Sequence, residues 1–329
     1  RKLKAISHQQ SAVSNQQSGF RSPQRKRLLL LTMHNLKNFL GPMRVSFLLL
    51  TPACVLLGTA AASWSTGAVS PWHFLLALAG GVCAHIAVNA LNEYSDFRTG
   101  LDYRTQRTAF SGGSGTLPER PELATRTLMT GVGAAALVAL VGLYFLRRWG
   151  LSILPLGILG LAVVAAYTPW LTRRPILCLV APGIGFGPLM VMGTDFALAG
   201  RYSWTALVAS LVPFFLVNNL LLLNQFPDVE ADRSVGRRHL PIVAGRRASS
   251  LVYAAFLLCA YLSIVAGVLL GLLPAASLIG LATLALAVPA AIGAYRHADD
   301  LARLKPAMVM NVAINLGTPL LVALGLFLA

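Results

Sequence analysis

Acidic side chains are scarce: the 329-residue chain holds 11 Asp and Glu against 27 Lys and Arg, and charged residues make up only 12% of it. Soluble domains carry about twice that share, so the composition excludes an ordinary water-soluble fold. Cysteine is sparse too. Cys54, Cys83, Cys178 and Cys259 all lie in apolar stretches without paired spacing, which argues against a disulfide framework or a zinc site and leaves small packing residues.

What the chain has in abundance is hydrocarbon, with 56% hydrophobic residues and a mean hydropathy of +0.68. Apolar windows long enough to cross a bilayer fall at 43–63, 72–95, 125–146, 151–168, 174–197, 204–226, 249–271, 275–296 and 308–328. The expectation is an all-α, polytopic membrane protein of nine transmembrane helices in one bundle, covering residues 43–329. Residues 1–42 are rich in Ser, Gln, Lys and Arg and contain no acid. They read as a disordered basic tail drawn to an anionic leaflet, a composition shared with organellar transit peptides.

The basic residues orient this bundle. Apart from Arg147, Arg148 and Arg201, every Lys and Arg lies in the tail or around the connections after the second, fourth, sixth and eighth spans. The positive-inside rule then places the N-terminus and those connections in the cytoplasm, in a bacterium at the inner membrane. The net charge of +16 is thereby explained by topology beside anionic headgroups, with the lipid bilayer as partner and no nucleic acid.

Six of the 11 acids gather in two places: Glu93, Asp96 and Asp102 after the second span, and Asp228, Glu230 and Asp232 after the sixth. Carboxylates near a helix C-terminus and a bilayer face the unfavourable end of the helix dipole and resist losing water, so a group of them demands a cation. Residues four apart share a helix face, which lets Asn92 and Asp96, and Asp228 and Asp232, converge on one ion. Oxygen donors without Cys or His suit Mg²⁺, which bridges carboxylates to phosphate oxygens. One such stretch is as well explained as a solvated acidic loop; the recurrence of Asn-x-x-x-Asp at Asn92–Asp96 and Asn224–Asp228 favours the metal. Spans two and six share a direction and this ending, which predicts two pseudo-repeated four-helix halves plus a ninth helix, with the site at their junction. Positive charge stands nearby in Arg104 and Arg107 and in Arg233, Arg237, Arg238 and His239. Proline at 227 should break the sixth helix, and Gly100 should end the second, bringing Asp102 in from the loop.

The segments Asn-Glu-Tyr-Ser-Asp-Phe-Arg-Thr-Gly-Leu-Asp at 92–102 and Asp-Val-Glu-Ala-Asp-Arg-Ser-Val-Gly-Arg-Arg at 228–238 resemble the two aspartate-rich motifs of the UbiA superfamily of intramembrane prenyltransferases. The variant is most similar to the 1,4-dihydroxy-2-naphthoate branch of menaquinone synthesis, because Asp102 follows Asp96 by six residues. The resemblance covers the chain from about residue 40, and Arg107–Gly115 resembles a glycine-rich segment that follows the first motif in some members. It implies Mg²⁺ held by Asn92, Asp96, Asp102, Asp228 and Asp232, with Asp96, Asp228, Asp232 and Asn92 as catalytic residues. Arg44, Arg104, Arg107, Arg237 and Arg238 would bind the diphosphate of a polyprenyl diphosphate, and the prenyl group would pass to an aromatic small molecule. Two departures stand out: Glu93 replaces a common aspartate, and Leu171 stands where a basic residue usually follows Tyr167 by four.

Other functions remain open at this point. A multi-pass cation-coupled transporter also carries acids in broken helices, but near the bilayer midplane. Within the family, 4-hydroxybenzoate or a tetrapyrrole are alternative acceptors.

Overall fold

The computed structural model describes residues 40–108 and 110–329, so most of the expected basic tail lies outside the described residues. Among them the chain is helical throughout, with no strand. Eight helical stretches are long and apolar enough to cross a membrane: α1 (Gly41–Thr66), α2 (Pro71–Thr99), α3 (Pro121–Ala166), α4 (Pro175–Ala199), α5 (Trp204–Asn224), α6 (Arg246–Leu269), α7 (Ala275–Arg296) and α8 (Leu301–Phe327). The protein is an integral membrane protein.

Local chemistry sets several of these ends. Ser70 caps α2 by accepting from the His73 amide, with Pro71 in the first turn, and Gly100 closes the helix at φ 76°. Ser203 caps α5 in the same way through the Ala206 amide. Such side-chain caps satisfy amides that the helix itself cannot.

The two predicted spans at 125–146 and 151–168 form the single stretch α3, whose legs Ala124–Trp149 and Leu154–Ala166 meet at a turn beginning at Gly150. A Cβ on Gly131 would press on Leu91 of α2. At the other end of the leg, Trp149 Nε1 donates to the Ala197 carbonyl and the Tyr202 hydroxyl to that of Ser152. The second leg returns to the α2 terminus, where Asn92 Nδ2 donates to Thr168 Oγ1. The turn follows Arg147, Arg148 and Trp149, the charged break at which hydropathy also separates the two predicted spans.

Leu, Ala and Val of α1, α5, α6 and α8 form the core, around the largely buried α5. Lipid offers little hydrophobic incentive for helices to associate, so close packing and buried amides hold them. Asn219 of α5 donates to the Tyr253 carbonyl of α6, the Tyr253 hydroxyl donates to Asn311 Oδ1 of α8, and Asn311 Nδ2 donates back to the Asn219 carbonyl. Asp195 is buried beside the α4–α5 turn and accepts from the Ser203 hydroxyl.

The α4–α5 contact is the tightest seam. A side chain on Gly183 would overlap the Phe214 carbonyl, and the Gly183 amide donates to Asn218 Oδ1 at 2.6 Å. Gly183→Val therefore costs at least about 2 kcal/mol through overpacking. It should lower the thermal midpoint in detergent by several degrees; an unchanged midpoint would show that the seam can widen freely.

Candidate active site

Both acidic stretches emerge at one end of the bundle. The last turns of α2 carry Asn89, Asn92, Glu93 and Asp96, and a short 3₁₀ turn, Leu101–Tyr103, returns Asp102 to the same place. After α5 a turn through Pro227 leads into the helix Val229–Ser234, with Asp228 as its N-cap and Asp232 one turn on. The breaks at Gly100 and Pro227 stand where the sequence put them. These carboxylates occupy helix ends, unlike the midplane acids of a transporter.

A single guanidinium joins the two stretches. Arg237 donates through Nη2 to Asp96 Oδ1 and through Nη1 to Asp232 Oδ1, the latter at 3.0 Å. Burial works against the Arg237 charge, but Asp96 and then Asp232 outweigh it and hold its pKa above the ordinary value. Arg44, in a left-handed conformation at φ 50°, donates to Glu93 Oε1 at 2.9 Å and Asn92 Oδ1 at 3.1 Å. Glu93 is fully buried and also accepts from the Ser114 amide and hydroxyl. The glycine-rich loop is thus fastened to the first motif, with the Ser114 N–H already engaged.

These groups cap a cavity of about 610 Å³ lined by Arg44, Asn92, Asp96, Asp102, Asp228, Asp232, Arg237 and His239 at its head. Its walls are apolar, from Ala84 and Leu161 down to Phe145, Ile153 and Ala197 at the far end of the bundle. An adjoining pocket of about 420 Å³ shares Arg44, Phe47, Phe110 and Ser111 with it.

Not every residue singled out in the sequence reaches this cavity. Arg104 is exposed and donates to the Ser234 carbonyl and hydroxyl, tying the two post-motif loops together. Arg107 pairs with the exposed Glu119 at 2.9 Å. Arg238 points to solvent while its backbone amide donates to the Thr172 carbonyl. His85 and Asn89, two turns and one turn below Asn92 on α2, also line the cavity and bond Thr51 and the Met43 carbonyl. Tyr167 does line the cavity, where burial pushes its phenol up. His239, counted in the sequence only as local positive charge, bonds Asp232 Oδ2 at 2.9 Å. The backbone is extended at His239, and Arg237 and His239 face inward while Arg238, between them, faces outward. That alternation was the available signal.

The donors suit a hard divalent cation. All are oxygens, and Asp102 Oδ2 and Asp228 Oδ1 are buried without a hydrogen-bond partner. Among the described residues no three acidic, His or Cys side chains already stand in metal-binding proximity; Arg237 holds Asp96 and Asp232 instead. Burial, reinforced by Glu93 and Asp96, pushes the Asp102 carboxyl up to about 7. Burial and then Asp232 do the same to Asp228, to about 7, against the opposing Ser111 hydroxyl, Arg237 and Arg44. A carboxyl whose pKa is raised by folding stabilises the fold while protonated, and this contribution is lost as pH climbs toward the folded value. In EDTA the thermal midpoint should therefore fall between about pH 5 and about pH 8. Mg²⁺ should restore more of it at the upper pH, since metal binding displaces those protons. A midpoint that rises over the same interval in EDTA would contradict this electrostatic picture.

Comparison with known proteins agrees with the geometry. The UbiA prenyltransferase family pattern matches residues 51–327. The 1,4-dihydroxy-2-naphthoate octaprenyltransferase of Bacillus subtilis (strain 168) is 29% identical over 66% of this chain and 69% of its own length. A protoheme IX farnesyltransferase of Synechococcus is 30% identical over 61% of this chain and 59% of its own. Among solved structures, the apo UbiA homolog from Aeropyrum pernix K1 superposes with a TM-score of 0.66 at 19% identity, covering 87% of this chain and 98% of that one. A UbiA homolog from Archaeoglobus fulgidus bound to DMAPP and Mg²⁺ superposes at 0.60 with 14% identity, over 89% and 99%. These last two likenesses concern the fold. With its twin acidic motifs meeting above an apolar cavity, the chain belongs to the UbiA prenyltransferase family and is a membrane prenyltransferase.

Proposed function

We propose that the protein transfers a polyprenyl group from its diphosphate to 1,4-dihydroxy-2-naphthoate or a related quinone precursor, in a Mg²⁺-dependent reaction. The observation that carries this reading is the meeting of four carboxyl groups, from Asp96, Asp102, Asp228 and Asp232, with two guanidiniums, Arg44 and Arg237, among the described residues at the head of a long apolar cavity, with Glu93 buried behind Arg44. Such a head needs cations, and such a cavity suits a hydrocarbon tail. The naphthoate acceptor is supported by relatives of that name.

Asn92, Asp96, Asp102, Asp228 and Asp232 would hold the metal, whose charge, when bound, supports departure of the diphosphate. Arg44 and Arg237 neutralise the same leaving group. As the allylic C1–O bond breaks, its electron pair leaves with the diphosphate, and the positive charge spreads over the first double bond of the chain. The apolar walls keep water from that carbon. A ring carbon of the acceptor, entering by the adjoining pocket between Phe47 and Phe110, forms the new bond and then loses its proton or carboxyl group. Positioning and stabilisation of the departing charge supply the rate. Holding the tail inside the bundle avoids exposing it to water, at about 0.8 kcal/mol per CH₂.

This reading takes residues 43–329 as the catalytic unit and counts the legs of α3 as separate crossings, giving nine. The acidic ends of α2 and α5 correspond as pseudo-repeated halves with a ninth helix added. The basic connections put that end, and the N-terminus, in the cytoplasm.

The test is incubation of purified protein with labelled geranylgeranyl diphosphate, Mg²⁺ and a panel of aromatic acceptors that includes protoheme, with products identified by mass. Prenylated naphthoate is expected. Asp96→Asn and Asp228→Asn should each retain less than about 1% of that activity while remaining folded, and EDTA should abolish it. Full turnover by either variant would sink the metal assignment, and a protoheme product would reassign the acceptor.

A further inference from the structure

His239 is almost completely buried, at 2% exposure, yet it belongs to neither acidic motif. Its Nε2 lies 2.9 Å from Asp232 Oδ2, while Arg237 Nη1 takes the other oxygen of the same carboxylate at 3.0 Å. A carboxylate only accepts, so Nε2 carries the hydrogen. The other ring nitrogen, Nδ1, is buried without a partner. A side chain kept only to fill space would not leave a polar atom stranded, because an apolar residue of similar size avoids that cost. The stranded nitrogen therefore marks a residue retained for the bond its opposite nitrogen makes.

The backbone around His239 is fixed on both sides. Before it, the Arg238 amide donates to the Thr172 carbonyl at 3.0 Å. At His239 itself the carbonyl accepts from the Ile242 and Val243 amides at 3.0 and 3.3 Å, beginning the helix Leu240–Ala244. The ring is consequently delivered to Asp232 by a strap clamped to the turn after α3.

We propose that His239 is a positioning residue that sets the orientation of the Asp232 carboxylate for divalent-cation binding. The two donors on Asp232 differ in kind. Arg237 is shared with Asp96 and carries charge that a diphosphate also attracts, whereas His239 contacts Asp232 alone. When Arg237 turns to an arriving anion, the imidazole still fixes the plane of the carboxylate. Partners that orient metal-binding groups in this way influence affinity nearly as strongly as the ligands themselves.

The inference rests on the metal reading above, and the experiment separates the two. The full chain in detergent is compared as wild type, His239→Gln, whose amide nitrogen reaches the place of Nε2, and His239→Asn, whose amide stops near that of Nδ1. Thermal midpoints are titrated with Mg²⁺ in the absence of substrate, and prenyl transfer is then measured against Mg²⁺ concentration. His239→Asn should raise the Mg²⁺ needed for half-effect by about 10–100-fold in both readouts, and His239→Gln by less than about threefold. The metal-free midpoints of the two variants should coincide. Equal impairment of Gln and Asn, or a loss confined to the metal-free midpoint, assigns His239 to packing and overturns the proposal. A normal wild-type response to Mg²⁺ with an unaffected His239→Asn overturns it alone; a wild type blind to Mg²⁺ removes the metal reading as well.

Discussion

The architecture turns on one guanidinium. Arg237 lies near the end of the second acidic motif, yet it reaches Asp96 in the first while holding Asp232 in its own. Without a cation there, the carboxyl groups that α2 and α5 bring together would repel one another in a poorly hydrated mouth. A planar fork with donors on both arms bridges two carboxylates at once, where the compact charge of lysine would favour one. Buried ion pairs of this kind add little net stability, because desolvation consumes most of the attraction. What they supply here is specificity: they fix the register in which the two parts of the chain meet.

That constraint explains why the rest of the bundle can be loosely specified. The core of α1, α5, α6 and α8 is closed by small residues and buried amides, whereas α2 and α3 leave an apolar cavity between them. A fold that packed every helix to the same density would have no room for a hydrocarbon chain. Buried Asn219, Tyr253 and Asn311 provide a rigid wall on one side. On the other, the α3 hairpin is anchored at its turn by Trp149 and Ser152 and at its return by Thr168.

Much of this was legible in the sequence, and the parts that were not have physical causes. Hydropathy found the spans, and Gly100 and Pro227 marked where the helices stop, because both signals are local. Arg237, Arg238 and His239 looked equivalent as charges near aspartates, but direction depends on backbone conformation: with the backbone extended at His239, Arg237 and His239 reach the site and Arg238, between them, does not. Arg104 and Arg107 stood close to the first motif in the chain and still bind Ser234 and Glu119, since a long flexible side chain takes the nearest partner in space.

Glu93 shows how a single departure from a motif is absorbed. An aspartate at this place has a carboxylate one methylene closer to the helix; the longer side chain instead reaches Arg44 on one side and the Ser114 amide and hydroxyl on the other. With both oxygens engaged it is an anchor, whereas Asp102 Oδ2 and Asp228 Oδ1 are left buried without partners. The anchor in turn explains Gly113. Its φ of 70° suits glycine, and a Cβ there would stand 3.1 Å from Glu93 Oε1 and 3.2 Å from Asp102 Oδ1. The glycine-rich loop is therefore held against the first motif by a backbone whose left-handed φ and close approach both favour glycine, and the longer acid and the missing Cβ are two halves of the same fit.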